Sequence, residues 1–161
     1  MEEKLISKVM FEILFWTGIR SGELLALTLM DFDFTAQMLC VNKNYARLKN
    51  GDLILEPKTP KSKRVVTIPP FLATLVQEYA STLYDYDDDE RLFPITKSFL
   101  QKEMQVGCKK SNVKKIRIHD LRHSHASLLI EMGFSPLLIS ERLGHENMET
   151  TLQTYFASIP K

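Results

Sequence analysis

The chain has 161 residues, of which 44% are hydrophobic and 25% are charged, and its formal net charge at pH 7 is +1. This length is typical of one domain and is sufficient to bury a core. No apolar run approaches the roughly eighteen residues that a membrane span requires, so we expect a soluble intracellular protein that does not enter a membrane.

Basic residues are concentrated in two segments of this nearly neutral chain. Residues 42–64 hold seven Lys and Arg against two acidic residues, and residues 97–122 hold eight against two. The remainder is acidic, notably residues 85–90. Such segregation is typical of a protein with one positive face, for which nucleic acid is a candidate partner, although charge clusters are often merely solvated.

An apolar stripe at helical spacing predicts a first helix that ends near Gly18. The stripe consists of Leu5, Ile6, Val9, Met10, Ile13 and Leu14. Ser21 is a candidate N-cap for a short second helix, with Glu23 in its first turn, where a carboxylate favours the helix dipole. Arg20 is thereby placed at the joint between two helices.

Short apolar and β-branched runs then predict three antiparallel strands at residues 38–41, 52–55 and 64–68. Asn50-Gly51 is expected to form a tight turn, and the basic stretch 58–63 to form the tip of a hairpin. We therefore expect a small three-stranded antiparallel sheet in this part of the chain.

The remaining chain is predicted to be helical. Pro70 opens a helix whose core face is Leu72, Leu75, Val76 and Tyr79. A helix over 98–106 and a polar loop over 107–115 follow. The next helix, 119–131, is stopped by Gly133.

Two more helices are predicted at the carboxyl-terminal end of the chain. Ser135-Pro136 and Gly144 delimit the first of them, and Asn147 is a candidate cap for the last, on which Tyr155 lies. The pattern as a whole predicts one α+β domain over residues 1–161, mostly α, with a small sheet. Cys40 and Cys108 have no metal-ligand spacing and are interpreted as reduced thiols.

Several residues could carry chemistry, although each has an ordinary structural explanation. Tyr155 could pack, Arg20 could cap a helix, and Lys58 is a usual turn residue. His119 and Arg122 share a helix face, as many i, i+3 pairs do.

Taken together, the order and context of these residues resemble the tyrosine recombinase (integrase) family. Residues 17–27 resemble its first arginine box, and His119-Asp120-Leu121-Arg122-His123 its HxxR box. Residues 143–145 resemble the third box, and 150–155 the segment with the nucleophile. Lys58-Thr59, with Ser62 and Arg64, is similar to the family's lysine element.

This resemblance implies a helical catalytic domain that cleaves and rejoins DNA through a phosphotyrosine bond. Tyr155 is the implied nucleophile. Arg20, Arg122 and His145 would bind the phosphate, Lys58 would be the general acid, and His119 would assist proton transfer. Because bond energy is stored in the covalent adduct, neither a metal nor another cofactor is expected.

Other roles follow from the resemblance and from charge. Glu23 either orients Arg20 or is simply a first-turn helix charge. Basic residues of the two positive segments are candidate DNA contacts: Lys43, Arg47, Lys61, Lys63, Arg64, Lys114, Lys115 and Arg117.

Three alternatives remain open on the sequence. A type IB topoisomerase would use a similar nucleophile and clamp, and a DNA-binding module without catalysis would use only the basic residues. A metal phosphohydrolase would need ligands such as His119, Asp120, His123 and His125, yet these cannot all share one helix face.

The resemblance also carries expectations about the whole protein. Relatives usually have a core-binding domain, and often an arm-binding domain, ahead of the catalytic one, so we expect this chain to be a catalytic fragment. The chain ends six residues after Tyr155, where relatives often have a longer tail. The expected partner is double-stranded DNA at an attachment site. A homotetramer is expected for the full-length protein, with a monomer as an alternative for the fragment. Accessory DNA-bending or excision factors and a bacterial cytoplasmic location complete these expectations.

Overall fold

The computed structural model describes residues 2–158; Met1 and the last three residues of the carboxyl-terminal tail lie outside this range. Seven α-helices and five short strands occur in the described chain, a mostly helical α+β domain as expected. The helices are α1 Glu2–Thr17, α2 Ser21–Leu25, α3 Pro70–Ser81, α4 Lys97–Lys110, α5 Ile118–Glu131, α6 Pro136–Leu143 and α7 Met148–Ser158. The strands are β1 Phe32–Asp33, β2 Met38–Val41, β3 Asn44–Leu48, β4 Gly51–Leu55 and β5 Arg64–Thr67.

Helix α1 lies at the centre of the domain and packs against α2, α3 and α5. Four members of its predicted stripe, Val9, Met10, Ile13 and Leu14, are completely or almost completely buried. The predicted face of α3 is buried in the same cluster. The periodicity of apolar residues was therefore a correct guide to the core, because burying one helix face is the main favourable contribution to packing these helices.

The predicted sheet needs a correction. A three-stranded antiparallel sheet is present, but its order is β1-β2-β5, whereas β4 pairs with β3 in a separate hairpin. The register places Leu48 opposite Gly51, so a tight turn joins the two strands. A turn this short pairs β4 with the strand immediately before it, and the more polar β3 had not been predicted.

Residues 58–63 are also not the tip of a hairpin, because the strands on either side belong to different sheets. They form a crossover that contains a single 3₁₀ turn, Pro60–Ser62. Proline cannot donate to a strand ladder, which favours this irregular path. One basic side chain of the crossover, Lys58, nonetheless lines a cavity together with Arg20 at the joint between α1 and α2.

The predicted loop 107–115 was partly wrong, since α4 continues to Lys110. Leu100, Met104 and Cys108 are buried at intervals of four, so packing extends the helix through Gly107. Cys108 and Cys40 are both free thiols.

The predicted ends of the last helices are confirmed. Ser135 accepts a hydrogen bond from the backbone N–H of Leu138, and Gly144 adopts a left-handed conformation after α6. Asn147 accepts from the backbone N–H of Glu149 at 3.0 Å. Among the helices described, none is long and apolar enough to cross a membrane.

Candidate active site

Arg20 lies at the joint between α1 and α2, as expected, but the helix begins one residue earlier than the capping pattern indicated. Arg20 itself is the N-cap residue, and Ser21 is the first residue of α2. The backbone N–H of Arg20 donates to the Glu23 carboxylate at 2.7 Å, and its guanidinium donates to the same group at 3.3 Å. Because the side chain of Arg20 is still 40% exposed, it can contact a ligand.

Glu23 also binds a second arginine, Arg64 of β5. The Arg64 guanidinium donates to both carboxylate oxygens, at 2.9 and 3.0 Å, and both side chains are buried. Burial alone would raise the pKa of Glu23, but the hydrogen bond and charge of Arg64, together with Arg20, lower it below its ordinary value. An ionised Glu23 therefore holds both arginines in place.

Arg122 is almost fully buried, with 4% of its surface exposed. Its guanidinium donates to the backbone carbonyls of Gly18, at 2.5 Å, and Leu143, at 2.6 Å. Burial, followed by the charges of Arg20 and Arg64, lowers its pKa to about 9, which leaves it protonated at pH 7. The two carbonyls fix the plane of the guanidinium at the junction of α1, α5 and α6.

The two candidate histidines are neutral near pH 7. Burial and then the positive charges of Arg122, Arg20 and Arg64 lower the pKa of His145 to about 4. Burial, then His123 and the arginines, lower the pKa of His119. One ring nitrogen of His145, Nδ1, lies 2.6 Å from the hydroxyl of Thr151 on α7.

One cavity of about 380 Å³ brings four predicted residues together. We call it the central cavity, and its lining includes Arg20, His119, Arg122 and His145. Arg20 also borders a neighbouring cavity of about 310 Å³, which Lys58 and Lys43 line. Lys58 therefore approaches the same arginine from the side of the crossover.

Tyr155, like Lys58, is a predicted catalytic residue that does not line the central cavity. Helix α7 contributes Thr150 and Thr154 to the lining instead. The Tyr155 side chain is half-buried, and its ring packs edge to face against Phe156 at 5.9 Å. Thr154, the residue before Tyr155, thus lines the cavity, whereas Tyr155 itself does not.

The candidate DNA contacts differ in their surroundings. Arg64 is buried against Glu23, and Lys43 is paired with Asp31 at 2.7 Å. Three others, Lys61, Lys115 and Arg117, are exposed and lie next to residues that line the central cavity. Lys61 donates to the Glu146 carbonyl, and Lys115 and Arg117 border a cavity next to His119. Lys63, Lys114 and Arg47 are exposed or partly exposed on the surface.

In the described part of the chain, no three His, Cys, Asp or Glu side chains are grouped as metal ligands would be. His125 is buried on another side of α5 and accepts a hydrogen bond from Arg142. The four residues of the phosphohydrolase alternative therefore do not converge on one point.

Sequence reasoning missed Arg142, which joins four segments of the site. It donates to His125, to the backbone carbonyls of Trp16 and Thr67, and to the Thr67 hydroxyl. Its neighbour Leu143 accepts from Arg122. Asn44 and Lys97 were also missed, although they line a small cavity with Arg20 and Arg122. The spacing of residues contained no signal for these long-range contacts.

The buried histidines predict a loss of stability in mild acid. Burial and then the charge of Arg142 lower the pKa of His125 from its ordinary 6.5 to about 4 in the folded state. The unfolded chain therefore binds more protons between these values, and the free energy of unfolding falls as pH drops from about 6.5 to about 4. His145 acts in the same direction.

Urea unfolding at pH 7 and pH 5 measures this effect, whose steepest slope is about 1.4 kcal/mol per pH unit for one histidine. His125→Gln should flatten the dependence, whereas His123→Asn, at an exposed position, should leave it intact. Equal unfolding free energies at the two pH values would contradict the assignment of buried neutral histidines.

The buried arginine, the two neutral histidines and the exposed Arg20 form a site suited to bind a phosphodiester, built on a mostly helical domain. The sequence matches the phage integrase family over residues 1–161. The chain belongs to this family.

Named relatives agree with this assignment. The chain is 32% identical to the ICEBs1 integrase of Bacillus subtilis (strain 168), over 96% of this chain and 45% of that protein. It is 30% identical to the integrase of Mycobacterium phage L5, over 91% of this chain and 42% of that protein. The chain thus spans about half the length of the curated relatives that it matches.

Solved structures share the fold. The Tn1549 transposon integrase in complex with circular intermediate DNA superposes with a TM-score of 0.83 at 25% identity, over 95% of this chain and 55% of that one. The XerH site-specific recombinase bound to its difH substrate gives a TM-score of 0.71 at 25% identity, over 96% and 43%. These names favour the recombinase over the topoisomerase alternative.

Proposed function

We propose that this domain belongs to a site-specific recombinase that cleaves and rejoins double-stranded DNA through a 3′-phosphotyrosine bond formed by Tyr155. Integration or excision of a phage or mobile element is the proposed outcome. The observation that carries this proposal is the convergence of Arg20, His119, Arg122 and His145 on the central cavity of a phage integrase family domain. Relatives named integrases, and neighbours solved in complex with DNA, support DNA as the partner.

The arginines account for the largest part of the proposed catalysis. Attack on a phosphodiester builds negative charge on the non-bridging oxygens of a pentavalent phosphorus, which positioned cationic donors stabilise. An arginine has five N–H groups, and two of those in Arg122 bind the Gly18 and Leu143 carbonyls. Three N–H groups of Arg122 can therefore serve the phosphate, beside the guanidinium of Arg20.

Two proton transfers complete the proposed step. The Tyr155 phenol oxygen forms a bond to phosphorus while the bond from phosphorus to the 5′ oxygen breaks. Neutral His119 assists removal of the phenol proton, and Lys58 delivers a proton to the departing oxygen. Attack by the 5′-hydroxyl of another strand reverses these changes. Each phosphodiester lost is replaced by another, so the reaction consumes no nucleotide.

The position of Tyr155 adds a requirement to this mechanism. Thr150 and Thr154 line the central cavity on the side of α7, and Tyr155 lies one residue further along. We propose that the phenol turns toward the cavity when DNA binds. A side-chain rotation, with α7 kept in place, would accomplish this movement.

The whole protein is proposed to contain further DNA-binding domains, since this chain covers about half of its relatives' length. We propose a tetramer on attachment-site DNA in the bacterial cytoplasm, with DNA-bending or excision factors assisting. The exposed basic residues, with Lys61, Lys63, Lys114, Lys115 and Arg117 as the foremost candidates, would contact phosphates around the cavity.

The test is a suicide duplex with a nick beside the cleavage position, built on the junction sequence of the circular form of the element. The whole protein is incubated with it in EDTA, denatured in SDS and digested with trypsin. We expect a covalent adduct on peptide 143–161, which contains one tyrosine, Tyr155. An adduct on another peptide, or none with the attachment site, would refute the proposal.

A further inference from the structure

Thr151 is a buried polar residue of the nucleophile segment to which the proposed step gives no role. It is 1% exposed, and its hydroxyl lies 2.6 Å from Nδ1 of His145. His145 follows the left-handed Gly144, and its backbone N–H donates to the Ser140 carbonyl at 3.1 Å. The backbone of His145 is thus held by α6, while its ring is held by α7.

We propose that Thr151 is a positioning residue for His145, whose hydroxyl donates to Nδ1 and keeps the ring in the tautomer with its proton on Nε2. This inference rests on the proposed function, in which His145 binds the phosphate. A neutral imidazole has a single N–H, and the partner of one nitrogen determines which nitrogen carries it. With the Thr151 hydroxyl donating to Nδ1, Nε2 becomes the donor.

The direction of the hydrogen bond between Thr151 and His145 matters because of the phosphate that the central cavity is proposed to bind. The non-bridging oxygens of a phosphodiester are acceptors, so a neutral His145 helps them only through an N–H. Burial and then the neighbouring arginines lower the pKa of His145 to about 4, so the ring of the free protein carries one proton at pH 7. The opposite tautomer would present a lone pair to the phosphate and repel it.

Thr151 also links two parts of the site. It lies four residues before Tyr155 on α7, so the two side chains leave neighbouring turns of one helix face. When α7 is docked, the nucleophile is near the cavity and His145 is in the donor tautomer. Displacement of α7 would move the nucleophile away from the cavity and would also release the ring of His145 from the donor tautomer. The phosphate contact of His145 is thereby coupled to the position of α7.

The first measurement is the ¹⁵N NMR spectrum of the His145 side chain at pH 7 in the free protein, which reports the tautomer without DNA or activity. We expect a protonated Nε2 and an unprotonated Nδ1. A ring protonated on Nδ1 overturns the proposal, whether or not the protein cleaves DNA.

The second measurement compares variants in single-turnover covalent cleavage. Thr151→Val keeps the shape but removes the hydroxyl, and Thr151→Ser restores it. We expect Thr151→Val to lower the rate on the order of tenfold with little change in DNA affinity, as for loss of one hydrogen bond. Thr151→Ser should recover most of the rate and the wild-type tautomer.

Thr74→Val is the matched control, because Thr74 is an exposed threonine on α3 that does not line the central cavity, so the His145 tautomer and the cleavage rate should both stay as in wild type. A Thr151→Val protein that keeps both the tautomer and the rate of wild type refutes the positioning role. If the wild type forms no covalent product, the proposed function fails, while the NMR result still decides the role of Thr151.

Discussion

Tyr155→Phe is expected to abolish the covalent protein-DNA product and to leave DNA binding within about twofold of wild type. The substitution removes the oxygen that would form the bond to phosphorus in the proposed step. The phenyl ring keeps the packing against Phe156, so the fold should be retained. SDS gels of trapped complexes measure the product, and gel shifts measure binding.

The matched control for this substitution is Tyr84→Phe. Tyr84 is 98% exposed and lies in the turn after α3, far from α7 in sequence. The Tyr84→Phe protein should cleave DNA at the wild-type rate. Covalent product from the Tyr155→Phe protein at the wild-type rate would disprove the assignment of the nucleophile.

Arg122→Lys is expected to reduce single-turnover cleavage on the order of a hundredfold or more, as for removal of other positioned transition-state donors. A lysine ammonium is a point charge without a planar fork, so it cannot bind the Gly18 and Leu143 carbonyls and the phosphate in one geometry. Because lysine keeps the positive charge, a loss of cleavage rate would report the geometry of the guanidinium and not its charge.

Arg117→Lys is the control for Arg122→Lys, since Arg117 is exposed and pairs with Asp120 on the same helix. Its cleavage rate should stay within a fewfold of wild type. Urea unfolding separates catalysis from stability, because the lost carbonyl contacts of Arg122 should also cost about 1–3 kcal/mol each. If Arg122→Lys folds and cleaves like wild type, Arg122 does not clamp the phosphate.

Local patterns predicted helix boundaries well because the forces that set them act over a few residues. Gly144 must follow α6 in a left-handed conformation, and Ser135 caps the start of the same helix, so both were visible in sequence. The strand Asn44–Leu48 was missed because apolar and polar residues alternate only weakly along it. Its pairing with β4 is set by the tight turn that joins the two strands.

Arg64 shows how burial can change the interpretation of a charged residue. Its place in a basic segment indicated a DNA contact, yet it lies buried against Glu23, 41 residues away in sequence. Nothing in the local sequence distinguishes a buried arginine from an exposed one. The partner is decided by how β5 packs against α2 and α6.

The sequence by itself determined the set of candidate residues, their order and the family, because each family box is short and contiguous. Tertiary structure alone decided which side chains share the central cavity. Arg122 binds the Gly18 carbonyl across 104 residues, and Arg142 binds the Trp16 carbonyl across 126. Such contacts depend on helix packing, as does the position of Tyr155 one residue outside the cavity wall.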